Sequence, residues 1–305
     1  MPLTEPVPDV RSLDLLRSVA ETGSIHQAAL QHRISQPAAS MRLRTLEKSL
    51  GLQLLDRSHG RAQLTSAGVA VVQWSEEVLE PMRQLQLGAR ALNADATTRL
   101  RVVASLTVAE YLVPGWLARL RDTDPTLVVS LQMGNSTHVT EVVLRGEADI
   151  GFVEGRSAPF ELASRVIRSD DLVVVVAPSS PLAKRKKPLT PTELSTVPLV
   201  LRESGSGTRE VLEVAMQSLN LSVTPIVQLG STTAIKAAVA SGVGAGVLSR
   251  LTVESDVDEG RLVVVSIDGL SLERSIRLVW LKGTPLTPAA RRLVRLVENS
   301  RGTRR

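Results

Sequence analysis

The chain has 305 residues, 43% of them hydrophobic and 22% charged, which suits two or three soluble units better than one core. Cysteine is absent, which excludes disulfides, thiolate metal sites and cysteine nucleophiles, and no apolar run is long enough to span a bilayer. The formal charge is +5, and between Gln31 and Gln63 the cations Arg33, Arg42, Arg44, Lys48, Arg57 and Arg61 stand against only Glu47 and Asp56, a local patch suited to neutralising phosphates.

Met1 to Pro6 carries neither the basic nor the apolar region of a signal peptide, so none is expected. Ser12 to Glu21 predicts a first helix with Leu13, Leu16 and Val19 on one face. Ser24 is placed to cap a short helix carrying Ala28, Ala29 and Leu30, and Gln31 to Ile34 form a tight turn. Ser35 then caps a second helix with Pro37 in its first turn, where a missing N–H costs nothing. Ala39, Leu43, Leu46 and Leu50 share the inward face of that helix. Gln36, Ser40, Arg44 and Glu47 are expected opposite, with Met41 and Arg42 towards the edges. Two helices around a tight turn, the second starting with short polar side chains, suit a reader of the DNA major groove, where Gln pairs with adenine and Ser donates or accepts.

Gln53 to Thr65 predicts a two-stranded wing turning at His59-Gly60, with Arg57 and Arg61 near the DNA backbone. Ser66 to about Ala94 reads as one long helix. Val71, Trp74, Val78, Met82, Leu85, Ala89 and Leu92 recur along it at three and four, a seam that points to a dimer, with a bend expected at Pro81. From Arg99 onward β-rich stretches alternate with helical ones, which predicts α/β architecture with largely parallel sheets.

In such sheets ligands sit beyond the carboxyl ends of strands, near helix N-termini. Ser105 and Thr107 follow the first strand, Asn135, Ser136 and Thr137 the second, and Glu154 the strand Ile150 to Val153. Arg202 to Arg209, with Ser204, Ser206 and Thr208, follows another strand and opens a helix; its glycines let backbone N–H groups approach a ligand, and no Lys-Ser or Lys-Thr pair makes it a Walker loop. Ser231 and Thr232 form a further wall. Arg202 and Arg209 favour a small anionic ligand. The glycines at 242, 244 and 246 fit a helix C-cap turn better than a nucleotide site.

Ser35-Gln36-Pro37-Ala38-Ala39-Ser40, with Leu43, Leu46-Glu47 and the flanks Val19 to Ser24, Leu50 to Arg57 and Leu64 to Gly68, resembles the DNA-reading region of LysR-type transcriptional regulators. The resemblance implies an α+β multidomain protein of the bacterial cytoplasm. It would have a winged helix-turn-helix domain at 1–65, a linker and dimerisation helix at 66–95, and a two-lobed effector domain like periplasmic binding proteins at 96–305. Lobe 1 would take 98–167 and 271–300, and lobe 2 would take 168–270. The implied partners are double-stranded DNA, through Ser24, Arg33, Ser35, Gln36, Pro37, Ser40, Met41, Arg42, Arg44, Arg57, Arg61 and Thr65, a small effector between the lobes, and further copies of the chain as a dimer or tetramer. Many relatives carry Arg where this chain has Met41, so base preference there is expected to differ. Two other classes compete. An enzyme needs a constellation that the four histidines, His26, His32, His59 and His138, do not supply, and no metal or cofactor fingerprint is present. A small-molecule-binding protein without a regulatory role would fit the C-terminal two-thirds alone.

Overall fold

The computed structural model describes residues 7–56, 63–92, 98–155, 157 and 160–299. Contacts divide the chain into two compact units, Met1–Leu87 and Gly88–Arg305.

The first unit begins with helices α1 (Val10–Thr22), α2 (Ile25–Gln31) and α3 (Gln36–Leu50). Each start is set by a side chain that accepts an otherwise orphaned backbone N–H: Asp9 for α1, Ser24 for α2 and Ser35 for α3. Leu13, Leu15, Leu16 and Val19 of α1, Ala28 and Ala29 of α2, and Ala39, Leu43 and Leu46 of α3 close into one apolar cluster. The small alanines let α2 and α3 approach closely. Strands β1 (Leu55–Asp56) and β2 (Gln63–Leu64) pair antiparallel, and the turn expected at His59-Gly60 lies outside the described residues. Helix α4 (Ser66–Leu92) runs continuously through Pro81. Val71, Ser75 and Leu79 are buried, with Val71 and Leu79 in the same cluster. Trp74, Val78 and Leu85 stand 65%, 47% and 65% exposed. Val71 therefore belongs to the core, and the free seam starts at Trp74.

The second unit is built on a nine-stranded sheet. Its strands are β3 (Arg99–Ser105), β4 (Val128–Gly134), β5 (Ile150–Gly155), β6 (Leu162–Val176), β7 (Leu199–Arg202), β8 (Pro225–Leu229), β9 (Ala245–Ser249), β10 (Val263–Val265) and β11 (Glu273–Leu281). The order is β4-β3-β5-β11-β6-β9-β7-β8, with β10 also on β6. The expectation of largely parallel sheets is corrected. β3–β4, β3–β5, β7–β8 and β7–β9 are parallel, whereas β5–β11, β11–β6, β6–β9 and β6–β10 are antiparallel. The reason is β6. From Leu162 to Asp171 it pairs with β11; from Leu172 onward it pairs with β9 and then β10. One strand thus passes from one half of the sheet into the other, and β11 brings the chain back.

Each half has its own core. On one side Val102, Ala104, Ile150, Phe152, Ile276 and Leu278 pack under helices α5 (Leu106–Tyr111), α6 (Val113–Thr123) and α12 (Pro288–Asn299). On the other, Val174, Leu199, Leu201 and Val247 pack with Val211, Leu212 and Met216 of helix α9 (Gly207–Gln217). Ile235 and Val239 of helix α10 (Thr232–Ala240) fill a further cluster with Val175 and Val200. The remaining helices are α7 (Ser136–Leu144), the short α8 (Pro191–Leu194) and α11 (Arg250–Asp258). Among the described residues no helix is long and apolar enough to cross a membrane.

A close approach fixes the wing against α4. A Cβ added at Gly68 would lie 2.2 Å from the Leu54 carbonyl oxygen. Gly68→Ala is therefore expected to destabilise the N-terminal unit by about 1–3 kcal/mol in urea unfolding; an unchanged midpoint would mean that the wing shifts freely.

Candidate functional site

In the N-terminal unit α3 presents its outer face to solvent. Gln36, Pro37, Met41, Arg44, Thr45 and Lys48 are exposed, while Ser40 and Arg42 are half-buried at its sides. Two expectations are corrected. Met41 is 68% exposed and stands on the crest of the helix instead of its edge. Glu47 turns inward, its Oε1 accepting from the backbone N–H of Leu54 at 2.9 Å and of Leu55 at 3.1 Å. It satisfies donors of the segment leading into β1. The hydroxyls of Ser24 and Ser35 are taken up in capping. Thr65 donates to the Gln53 carbonyl at 2.6 Å and accepts from Gly68 N–H. These three residues shape the reader. Arg33 is exposed with φ 53 in the turn before α3, and Arg57 and Arg61 lie outside the described residues. His32 bonds the Ser18 hydroxyl at 2.9 Å, a structural contact inside the unit.

In the C-terminal unit four of the thirteen predicted ligand residues, Ser105, Thr107, Glu154 and Thr208, come together around a residue that the sequence does not single out. Arg274 of β11 is buried and bonds both ways. Its Nε donates to Asp170 of β6 at 2.8 Å, and its Nη1 donates to Glu154 of β5 and to Thr208 Oγ1 at the start of α9 (2.9 Å). Nη2 reaches Thr107 Oγ1 at 3.5 Å. Ser105 donates to the other oxygen of Glu154 at 2.9 Å, and Ser249 donates to the other oxygen of Asp170 at 2.8 Å. Ser105, Thr107, Glu154 and Thr208 therefore spend polar atoms on one buried cluster that ties the two halves of the sheet together. The signal for Arg274 and Asp170 was register. Arg274 shares a strand face with Ile276 and Leu278, and Asp170 shares one with Leu172 and Val174, all buried.

Beside this cluster two walls face each other across the halves. Asn135 Nδ2 donates to the Ser204 carbonyl at 3.3 Å, and the Thr137 N–H donates to the Gly205 carbonyl at 3.2 Å. Ser136 Oγ donates to the Glu154 carbonyl at 3.2 Å. Asn135 also caps α7 through His138 N–H. The first turn of α9 receives no side-chain cap from Ser206, which is itself buried. Ser231 caps α10, and Thr232 is buried in its first turn. A second tie lies near that helix: Lys236 pairs with Asp256 of α11 at 2.7 Å and sits 5.7 Å from the centre of the Tyr111 ring of α5.

The two arginines expected to attract an anion are already engaged. Arg202 is buried and grips Glu203 through two bonds of 2.8 Å. Burial alone would raise the Glu203 carboxyl, but those bonds outweigh it and hold it below the ordinary carboxylate range, so it stays ionised and neutralises Arg202. Arg209 pairs with Glu213 one turn along α9 at 2.7 Å.

Two family models match the chain: the bacterial regulatory helix-turn-helix of the lysR family over residues 10–69, and the LysR substrate binding domain over residues 93–301. The chain belongs to the LysR family of transcriptional regulators. It is 36% identical to an uncharacterised HTH-type transcriptional regulator of Mycobacterium tuberculosis, over 96% of this chain and 97% of that one. It is 30% identical to the regulator CbbR of Xanthobacter flavus over 95% and 87%. Its effector-binding unit is similar to the regulatory domain of Synechocystis CcmR solved in complex with 2-PG, with 27% identity and a TM-score of 0.62 over 68% of this chain and 98% of that one. The protein is thus a regulator with a DNA-reading domain and an effector-binding domain.

The buried cluster makes a sharp expectation. Arg274→Met leaves Glu154 and Asp170 buried without their cation and should cost the C-terminal unit about 3–5 kcal/mol, read as a lowered calorimetric transition. A shift of only a few tenths would show that water or a neighbour replaces the guanidinium.

Proposed function

We propose that this regulator binds operator DNA through α3 and the wing, and that a small polar effector held between the two halves of the C-terminal unit controls that binding. The observation that carries the reading is the pair of walls, Asn135 to Thr137 and Ser204 to Thr208, already within hydrogen-bond distance across the halves. The bonds between them are long, 3.2 to 3.3 Å, and exchangeable for bonds to a ligand. The acidic group expected of the effector is received by the backbone N–H groups at the start of α9 and by the neighbouring hydroxyls, because Arg202 and Arg209 already hold carboxylates. The effector shifts the DNA-bound state only by its differential affinity for the two arrangements.

DNA contact is assigned to Gln36, Pro37, Ser40, Met41, Arg42 and Arg44, with Arg33, Arg57 and Arg61 on phosphates and Ser24, Ser35 and Thr65 as framing residues. The exposed side chains Trp74, Val78 and Leu85 support self-association through α4, which spaces two readers for two half-sites. A tetramer follows if two such dimers pair. The protein works in the cytoplasm as a regulator and catalyses no reaction.

Two measurements check this. Affinity for a specific duplex is expected to fall about 10³-fold between 50 and 200 mM salt if roughly six phosphates are neutralised, with Gln36→Ala losing specificity but keeping weak nonspecific binding; a flat salt dependence contradicts it. At Gly207 an added Cβ would stand 2.1 Å from the Glu154 carbonyl oxygen. Gly207→Ala should therefore keep DNA binding but abolish the thermal stabilisation that the native protein shows with a panel of small carboxylic acids and phosphates. Equal stabilisation of both proteins would place the ligand elsewhere.

A further inference from the structure

Met41, 68% exposed, is the most exposed large apolar side chain on any described helix of the reader, ahead of Leu30 on α2 at 58%. Leu43, Ala39 and Leu46 define the buried side of α3. At about 100° per residue, Met41 lies almost diametrically opposite them. Pro37 and Thr45, four residues before and after, share its ridge and are also exposed. The Thr45 hydroxyl donates to the Met41 carbonyl at 3.0 Å, so its methyl is the part left for a partner. The crest of the helix is therefore an apolar strip, Pro37-Met41-Thr45, with the exposed cation Arg44 beside it and Lys48 continuing its line. A cationic border suits DNA, and on the major-groove edges of the bases the one apolar group is the thymine C5-methyl.

We infer that Met41 is a specificity-determining residue that reads thymine methyl groups in the operator half-site. The inference rests on the DNA-reading role of α3 proposed above. A cation or amide at this position selects guanine or adenine by hydrogen bonds. The Met41 thioether has no strong donor or acceptor, so it discriminates by burying a methyl instead. Its flexibility lets one side chain cover methyls on neighbouring base pairs, which predicts a preference for thymine at one or two adjacent positions.

The test starts with selection of duplexes from a random pool by the full-length protein. Each thymine of the selected half-site is then replaced singly by uracil, which removes the methyl and leaves the hydrogen-bonding edge unchanged. Binding is measured for the native protein, Met41→Ala and Met41→Leu. Loss of one methyl contact is expected to weaken native binding about threefold to fivefold at one or two positions, and to weaken Met41→Ala less than twofold there. Met41→Leu, still apolar, should keep most of the thymine preference. Native protein that is indifferent to every methyl, or Met41→Ala with the full native preference, overturns the inference while leaving the regulator reading intact. A pool that yields no preferred duplex at all overturns that reading as well.

Discussion

The C-terminal unit depends on one guanidinium. Arg274 is buried between two carboxylates, Glu154 and Asp170, and two threonines, Thr107 and Thr208. These partners come from β5, β6, the start of α5 and the start of α9, on both sides of the point where β6 changes partners. Desolvating three charged groups costs several kcal/mol each, and it is compensated only when nearly every donor and acceptor is matched, as it is here. The fully buried apolar residues stay within their own halves, and of the apolar side chains packed against them Leu251 of α11 crosses to the other half's cluster. What joins the halves is therefore mainly polar and directional. A joint of this kind can rearrange without exposing a hydrophobic core, which is the property a ligand-controlled domain needs.

The same logic separates scaffold from contact surface in the reader. Ser24, Ser35, Thr65 and Glu47 spend their polar atoms on backbone N–H or carbonyl groups. They fix the angle at which α2, α3 and the wing meet. Gln36, Met41, Arg44 and Lys48 remain exposed and uncommitted to the core. Capping satisfies local donors that would otherwise be costly to bury, whereas the crest of α3 bears no such obligation.

Much of this was legible in the chain. The caps at Ser24 and Ser35, the inward face of α3 and the strand-helix alternation after Arg99 follow from short-range pattern, and the family motif is itself such a pattern. The misreadings share a physical cause. Glu47 satisfies the helical spacing of an outward residue, but a long side chain at the end of a helix reaches back to the nearest orphan donors. The first ten residues of β6, rich in charge from Arg165 to Asp171, do not look like a strand. They are one because β11 pairs along their whole length. Arg274 looks like a surface charge until its register places it beside Ile276 and Leu278. Arg202 and Arg209 look like anion receptors until their partners at 203 and 213 are counted. Which partner each charged group or strand finds, near in sequence for Glu47, Arg202 and Arg209 and far for β6 and Arg274, decides each case.

The central claim is that the relation of the two walls governs DNA binding. The chain contains no cysteine, so a Thr137→Cys, Gly205→Cys variant has a single possible intramolecular disulfide. A Cβ at Gly205 would lie 3.2 Å from that of Thr137, close to the span of about 3.5–4.5 Å that a disulfide bridges, and the strain of a side chain at its φ of 84° is common to the oxidised and reduced forms being compared. The decisive measurement is the affinity of this variant for a selected operator, oxidised against reduced. The account predicts at least a roughly fivefold difference and no effector response in the oxidised form. Equal affinities, with the effector response intact while the walls are locked together, would contradict it.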